Sequence, residues 1–550
     1  MRIEDFYPTQ GAFVPGATIT FKAQISQAAA GPLSLRLKVN HLNKLIAAST
    51  VTLAHQGGLQ AHALQWSAPP ENPRGYGVTV ELLAPSGRVS DSASSAFDVL
   101  PDWTAFPRYG FLSDFAPGRN DMEATLAELA RFHINGLQFY DWQYRHDHLL
   151  SSETNYTDPL DRALSLDTVS DFINAAHKAG MAAMPYLAVY AASLPFWSAH
   201  PAWALYDEEG RPASFLDFLG LMDPSPGSGW TGHLLEQCRL VLAALPFDGF
   251  HVDQYGDPQQ GWTAAGQEID LPAAFVAFIG CLKESHPASS VLFNAVGNWP
   301  IEALTSSALD FNYIEIWPPD VHYKDLRRIV SQARRLSAGK PVTIALYLPA
   351  DQIQNVRLAD ALIFALGGSR IELGEAGRLL GDPYFPKHQA IGKELRQILR
   401  AYYDFAIRYG ELIGPAATDE AYPVETTQPG VWTNARHCPG WLAVNLVNMA
   451  GLGEPRWDEP LPDPAKQDNL VVRLHCPQPV VQVWWASPDR DTIDLEPLDH
   501  YAAGGEITVT LPDLQYWALI AIELAISSSN ETSPADEPVT DIIESRLSHD

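Results

Sequence analysis

The chain has 550 residues, of which 46% are hydrophobic, 10% aromatic and only 18% charged. That is the composition of an ordered protein with more than one core. A formal charge of −29 argues against nucleic acid and anionic membrane surfaces as partners, since both require basic footprints. A neutral partner with apolar faces suits the 15 Trp and 20 Tyr better, although aromatics mostly fill cores.

The opening residues, "MRIEDFYPTQGAFVPG", lack the basic start and apolar centre of a signal peptide. No apolar run reaches the ~18 residues of a membrane span. As written the chain reads as cytoplasmic and not integral to a membrane; a leader already removed would leave the same appearance and make it a secreted protein. Residues 1–104 carry short alternating runs, "ATITFKAQI", "LSLRLKVN", "YGVTVELLAP" and "SSAFDVL", between Gly, Pro and polar turns. These predict an immunoglobulin-like β-sandwich ending near "LPDWTAFP".

From 105 to 414 the rhythm changes to apolar strand followed by helix-length segment. The strand candidates are "RYGFLSDF", "NGLQFYDW", "MAAMPYLAVY", "FDGFHVDQYG", "VLFNAVGNW", "FNYIEIW", "PVTIALYL" and "SRIELGE". Amphipathic stretches such as "DMEATLAELARFH" and "YKDLRRIVSQARRLSAG" lie between them. Eight such units predict a central (β/α)8 TIM barrel, with "HQAIGKELRQILRAYYDFAIRYGELI" as the helix after the eighth strand. Over 415–526, β-like runs return ("GWLAVNLVN", "VVQVWWAS", "EITVTL", "QYWALIAIEL") and predict a C-terminal antiparallel β-domain. Residues 527–550, acidic and rich in Ser and Pro, read as a disordered tail. Cys238, Cys281, Cys438 and Cys476 show no metal-ligand spacing and read as buried thiols, with a Cys438–Cys476 bridge as the other possibility.

In a barrel the chemistry sits at the C-terminal ends of the strands. Along "FDGFHVDQYG", Phe250 and Val252 share one face while His251 and Asp253 share the other. Along "FNYIEIWPPD", Ile314 and Ile316 face outward and Tyr313, Glu315 and Trp317 inward. The fourth and sixth strands thus each bring one carboxylate to the mouth. Two carboxylates across a small gap are the minimum apparatus for cleaving a glycosidic bond. Tyr255, Trp299, Trp317 and Tyr347 are candidate sugar-stacking walls, and Gln254 a candidate donor to Asp253. The competing structural reading makes Asp253 and Glu315 ion-pair partners of residues such as Arg370. Past the second strand, Asp141 is a candidate acceptor for sugar hydroxyls, and Trp142 or Tyr144 a stacking ring. Tyr186 and Asn294 end their strands facing the same mouth. Glu372 and Glu375 on the eighth strand are candidates too, or structural partners of Arg370.

"NGLQFYDWQYRHDHLL", "FDGFHVDQYG", "FNAVGNWP" and "NYIEIWPPD", taken in order, resemble glycoside hydrolase family 66, the dextranases and cycloisomaltooligosaccharide glucanotransferases. The resemblance runs through the whole barrel and its flanking β-domains. It implies retaining cleavage of α-1,6-glucosidic links in dextran and isomaltooligosaccharides, with Asp253 as nucleophile, Glu315 as acid/base, no cofactor and no metal, in a monomer. The nucleophile is then expected to be ionised and the acid/base protonated. Cyclising members carry a carbohydrate-binding insert after the seventh strand, for which "IALYLPADQIQNVRLADALIF" leaves no room, so plain dextranase is the reading and the glucanotransferase the alternative. Two other classes compete: a metal-dependent barrel hydrolase built on His146, His148, His251 and Asp253, and a non-catalytic glucan-binding protein on an enzyme scaffold.

Overall fold

The computed structural model describes residues 1–525 except 29, 68–73 and 421; the tail expected over 527–550 lies outside the described residues. The molecule is multidomain and mostly β. At its N-terminal end a three-stranded sheet (Arg2–Pro8, Thr18–Gln27, Gly58–Ser67) faces a four-stranded one (Gly31–His41, Lys44–His55, Arg74–Leu83, Val89–Val99). Every second residue of Thr18–Gln27 and Gly31–His41 points inward, so Ile19, Phe21, Leu33 and Leu35 meet in a dry layer with Val80 and Phe97. Trp103–Ala105 forms a single turn where "LPDWTAFP" marks the end of this region.

The central element is a curled ten-stranded sheet. Its strands are β1 Tyr109–Leu112, β2 Gly136–Phe139, β3 Ala182–Ala188, β4 Gly249–Asp253, β5 Ser290–Val296, β6 Asn312–Glu315, β7 Val342–Ala345, β8 Ser369–Ile371, β9 Leu373–Gly374 and β10 Arg378–Leu379. The first eight are parallel neighbours in chain order, each one expected from sequence, and β9 pairs with β1 through Gly374 and Phe111. Helices return the chain between strands: α1 Met122–Ala130, α2 Leu166–Lys178, α3 Gly229–Ala244, α4 Leu271–Ser285, α5 Tyr323–Leu336, α6 Ile353–Ala365 and, after β10, α7 Lys393–Arg408. α7 starts later than the "HQAIG" that opens the stretch expected from sequence, because Gln389 in that stretch forms a bridge to Leu379 instead.

Two cores flank the sheet. On the helix side, Phe250, Val252, Ile314 and Ile316 join the largest apolar cluster. On the inner face, Tyr109, Phe111, Met184, Leu292, Phe311 and Tyr313 form a compact aromatic floor. This sorting follows the period-2 alternation of the strands, and it leaves the strand ends as the place where inner-face polar residues gather. Beyond α7, a six-stranded and a four-stranded antiparallel sheet pack around Val444, Val472, Ile507 and Ile520. All four cysteines are free thiols, so the Cys438–Cys476 bridge is not formed. Among the described residues, no helix is long and apolar enough to cross a membrane.

Candidate active site

β4, β5 and β6 lie side by side and end at one level: Val252 pairs with Phe293, Asn294 with Tyr313 and Val296 with Glu315. The outer two strands supply the carboxylates Asp253 and Glu315, and the middle one supplies Asn294 between them. The single Nδ2 of Asn294 donates to Asp253 Oδ1 at 2.8 Å and to Glu315 Oε2 at 2.8 Å. With both acceptors 2.8 Å from one nitrogen, these two oxygens are no more than about 5.6 Å apart. Asp253 also accepts from the Tyr186 hydroxyl at 2.8 Å and from the Gln254 backbone N–H at 2.9 Å. Glu315 accepts from the Tyr347 hydroxyl at 2.6 Å.

Glu315 is buried and Asp253 half-buried, and among the described residues neither pairs with an arginine. Burial pushes Asp253 up to about 7, with the charge of Glu315 adding to it and the three donors opposing it. Burial raises Glu315 as well, against hydrogen bonds from Tyr347, Asn294 and Trp317. Carboxylates this close resist carrying two charges at once, which favours a single proton shared between them. The expectation of a simply ionised Asp253 therefore meets a raised one. A backbone N–H, a hydroxyl and the shared amide all converge on Asp253, and this set favours placing the charge there and the shared proton on Glu315.

The structural reading of these carboxylates as partners of Arg370 is set aside. Arg370 donates its Nε to Asp360 at 2.9 Å and its Nη2 to Glu372, a closed buried group. Glu375 is equally occupied, accepting from Ser113 and Asp114 backbone N–H groups and pairing with Arg119 at 2.7 Å. Glu372 and Glu375 are thus structural.

The remaining sequence candidates separate clearly. Tyr186, Asn294 and Tyr347 touch the carboxylates, and Trp317, 38% exposed, leans over Tyr347 with ring centres 6.0 Å apart. Gln254 contributes its backbone only; its side chain turns to Trp299 O and Gly256 N. Tyr255 is buried against Tyr190, and Trp299 packs edge-on to Phe275. Asp141 sits at φ 48° beside Arg162, its pKa pushed up to about 6 by burial against the opposing pull of that cation. One expectation is corrected. Trp142 is fully buried, its ring on Phe247 and its Nε1 donating to Tyr186 O, so no sugar can stack on it. Tyr144 packs against Tyr156 beneath Arg145, with no hydrogen bond or ring contact that joins it to the carboxylates among the described residues.

Sequence reasoning missed Tyr140, which stacks on Phe385 at 4.3 Å and leans on Tyr186 at 5.9 Å. The residue directly after a strand end is the signal that would have found it. It also missed the floor beneath Asp253: His251 is buried between Tyr109 and Tyr186, receives the Tyr109 hydroxyl at 3.3 Å, and is held neutral by burial, its pKa down to about 3. His251 is committed to that stack, His146 is buried and His148 exposed; no cluster of three or more metal-ligating side chains exists among the described residues.

Comparison with known proteins matches this architecture as a whole. The sequence model of glycosyl hydrolase family 66 matches residues 10–521. The chain belongs to that family. This family 66 chain is 22% identical, over an alignment 730 positions long, to a cycloisomaltooligosaccharide glucanotransferase of Niallia circulans, covering 100% of the chain and 74% of the relative. It is 23% identical over 629 residues to a dextranase of Streptococcus salivarius, covering 92% and 74%. A crystal structure of a Paenibacillus sp. cycloisomaltooligosaccharide glucanotransferase, complexed with cycloisomaltoheptaose, superposes with a TM-score of 0.87 at 20% identity, covering 94% of this chain and 99% of the other. A maltogenic alpha-amylase of Thermotoga neapolitana reaches a TM-score of 0.52 at 13% identity, covering 76% of this chain and 99% of the other.

Proposed function

We propose that this family 66 glycoside hydrolase cleaves α-1,6-glucosidic bonds within dextran and isomaltooligosaccharides with retention of configuration, through a covalent glucosyl ester on Asp253. One observation carries the reading: a single Asn294 amide spans Asp253 and Glu315. An upper limit of about 5.6 Å between these oxygens suits the roughly 5–5.5 Å of retaining enzymes and falls short of the roughly 6.5–9.5 Å at which inverting enzymes hold a water between their carboxylates. The activities named for the glucanotransferase and dextranase relatives support the substrate class.

In the first step Asp253 Oδ attacks the anomeric carbon while the Glu315 proton passes to the departing glycosidic oxygen. Ester formation removes the negative charge of Asp253, and with it the repulsion that kept Glu315 protonated. Glu315 then accepts a proton from the incoming water, which attacks the same carbon and frees Asp253. Tyr186 and the Gln254 N–H hold the attacking carboxylate in place, and Tyr347 holds the acid/base. We read the curled sheet as a closed (β/α)8 barrel, supported by β8 on β7 and β9 on β1 being separated by Glu372 alone. The antiparallel layers before about 104 and after about 415 are then flanking domains.

Water is the acceptor in this reading because β7 passes to α6 within residues 346–352, with no inserted module to hold the far end of a glucan. A second reading, intramolecular transfer to give cyclic α-1,6-glucans, is favoured by one finding. A Paenibacillus sp. cycloisomaltooligosaccharide glucanotransferase superposes on this chain with a TM-score of 0.87. Incubation of the purified protein with dextran, with Asp253→Ala and Glu315→Ala as controls, tests both. Linear isomaltooligosaccharides that vanish in both variants support hydrolysis. Cyclic products establish the second reading, and inertness toward every α-1,6-glucan overturns both.

A further inference from the structure

Each of the two N-terminal sheets ends in a strand from one continuous stretch of chain, Lys44–His55 in the four-stranded sheet and Gly58–Ser67 in the three-stranded one. Only Gln56 and Gly57 separate the two strands, and His55 ties them through His62 Nε2 at 3.0 Å and Gly58 O at 3.2 Å, so they form one rim of the sandwich. Lys44–His55 pairs with Gly31–His41 on one side, and among the described residues no strand lies on the other. Every second N–H and C=O of this strand therefore faces outward. The opposite rim is closed: the Ile3 N–H donates to Asp91 at 2.8 Å, Arg131 and Arg400 donate to Asp5 at 2.8 and 2.5 Å, and Asp404 of α7 accepts from Ser95 and Ala96.

Edge strands are ordinarily protected from pairing by charged side chains, proline, bulges or a covering element. From Leu45 to Ser67 there is no Asp, Glu, Lys, Arg or Pro, and the register shift of Lys44–His55, opposite Val39 and Asn40, falls near its start. Its middle is unguarded. Leu45 is 56% and Leu59 62% exposed, while Ala47, Val51, Leu53 and Trp66 pack against the sandwich core and stay only half-buried. The charge of the chain is distributed unevenly as well. Residues 1–104 hold seven Lys and Arg and seven Asp and Glu, a net charge of zero, so the whole −29 falls on the rest.

We infer that this rim is a homodimer interface, in which Lys44–His55 pairs antiparallel with the same strand of a second copy and joins two four-stranded sheets into one of eight. Charge selects the occupant. A second copy carries the same −29 and is repelled by most of this surface, so it approaches with least cost where the chain is neutral. A cationic partner would settle on the acidic remainder instead. A strand laid antiparallel on its own copy makes a two-fold, self-complementary contact that closes at two chains. It also sets the two Lys44 side chains at opposite ends of the paired segment, where they do not meet. Main-chain bonds supply the pairing, and the half-covered Val51 and Leu53 gain cover from the second copy. This departs from the monomer that the family resemblance implies, and it is independent of the assigned activity.

Sedimentation equilibrium of the full chain over about a hundredfold range of concentration tests this. The unaltered protein should pass from one chain's mass to twice that mass as concentration rises. Thr50→Lys, an exposed change in the middle of the strand, sets two like charges close together across the two-fold and should raise the dissociation constant about tenfold or more. Thr510→Lys, an equal charge change at an exposed position of the C-terminal sheets, should leave it unaltered. A single chain's mass at every concentration overturns the inference, and so does a dimer that Thr50→Lys leaves equally tight. Hydrogen exchange on the unaltered protein decides the same question without any variant. The amides of residues 45–54 should exchange more slowly at the high end of the range than at the low end, and equal rates there overturn the pairing.

Discussion

On the proposed mechanism Asn294 and the residues it joins decide the chemistry, and the burial of their carboxylates also costs the free protein stability. Burial raises both carboxyls of the Asp253–Glu315 pair in the folded state, Asp253 to about 7 from an ordinary value of 3.8, so the folded pair keeps a proton that the unfolded form has released. Stability contributed by this group is present below about pH 4 and is lost as pH rises toward 7. Asp253→Asn, which removes the charge and keeps the shape, should raise Tm at pH 8 by roughly 2 °C and leave it unchanged at pH 4. Thermal melts at the two pH values check this, and a lower Tm at pH 8 contradicts it. The same substitution should cut kcat by about 10⁴-fold or more. Asn294→Ala frees the carboxylates from their common donor and should lower kcat about 10- to 100-fold with little effect on KM, as expected for lost positioning; a change confined to KM would place Asn294 in substrate binding instead. Asp253 and Glu315 are legible in sequence because strand alternation puts them on the inner face. The bridging role of Asn294 is not, since register between β4, β5 and β6 depends on packing that no single strand encodes. Trp142 is ambiguous for a related reason: its residue type suits a sugar wall and a core equally, and only the turn after β2 aims the ring at Phe247.

At the scale of elements, the sheet needs close approach where β4 enters it. A Cβ on Gly249 would stand 1.8 Å from Ser290 O, so β4 and β5 can pair at this register only with glycine there. Gly249→Ala should cost about 3 kcal/mol or more and reduce activity as well, because it shifts the strand that carries Asp253 relative to Asn294. Unfolding in urea and the specific activity of the folded fraction measure the two effects. Full stability in this variant would contradict the pairing of Gly249 with Ser290. The eight strands and the helices between them are legible because each keeps an unbroken apolar pattern of its own period. The start of α7 is not, because Gln389 makes a bridge to Leu379 that competes with helix in the same residues.

In the whole molecule, the N-terminal layers are joined to the central sheet by buried polar contacts rather than by an apolar seam alone. Asp404 on α7 accepts from Ser95 Oγ and the Ala96 N–H at 3.0 Å each and meets His133 Nε2 at 2.7 Å. Arg108 forks onto Asp98 at 2.8 and 3.0 Å. Asp404→Ala leaves three buried groups without their partner and should cost about 2–4 kcal/mol, seen by calorimetry as a separate early transition of the N-terminal layers. A single transition at an unchanged Tm contradicts that coupling. Sequence indicates the β-rich regions on either side of the centre. How they attach is not legible there, since Ser95, His133 and Asp404 are far apart in the chain and none belongs to a motif.

The central claim is that Asp253 becomes covalently glucosylated. Its most direct test is mass spectrometry of the protein reacted with a 5-fluoro α-glucosyl fluoride, which slows the second step enough to trap the ester, followed by peptide mapping. One added fluoroglucosyl group is expected on the peptide carrying Asp253, absent in Asp253→Ala. A stable adduct on another residue, or turnover with inverted products and no adduct, would contradict it.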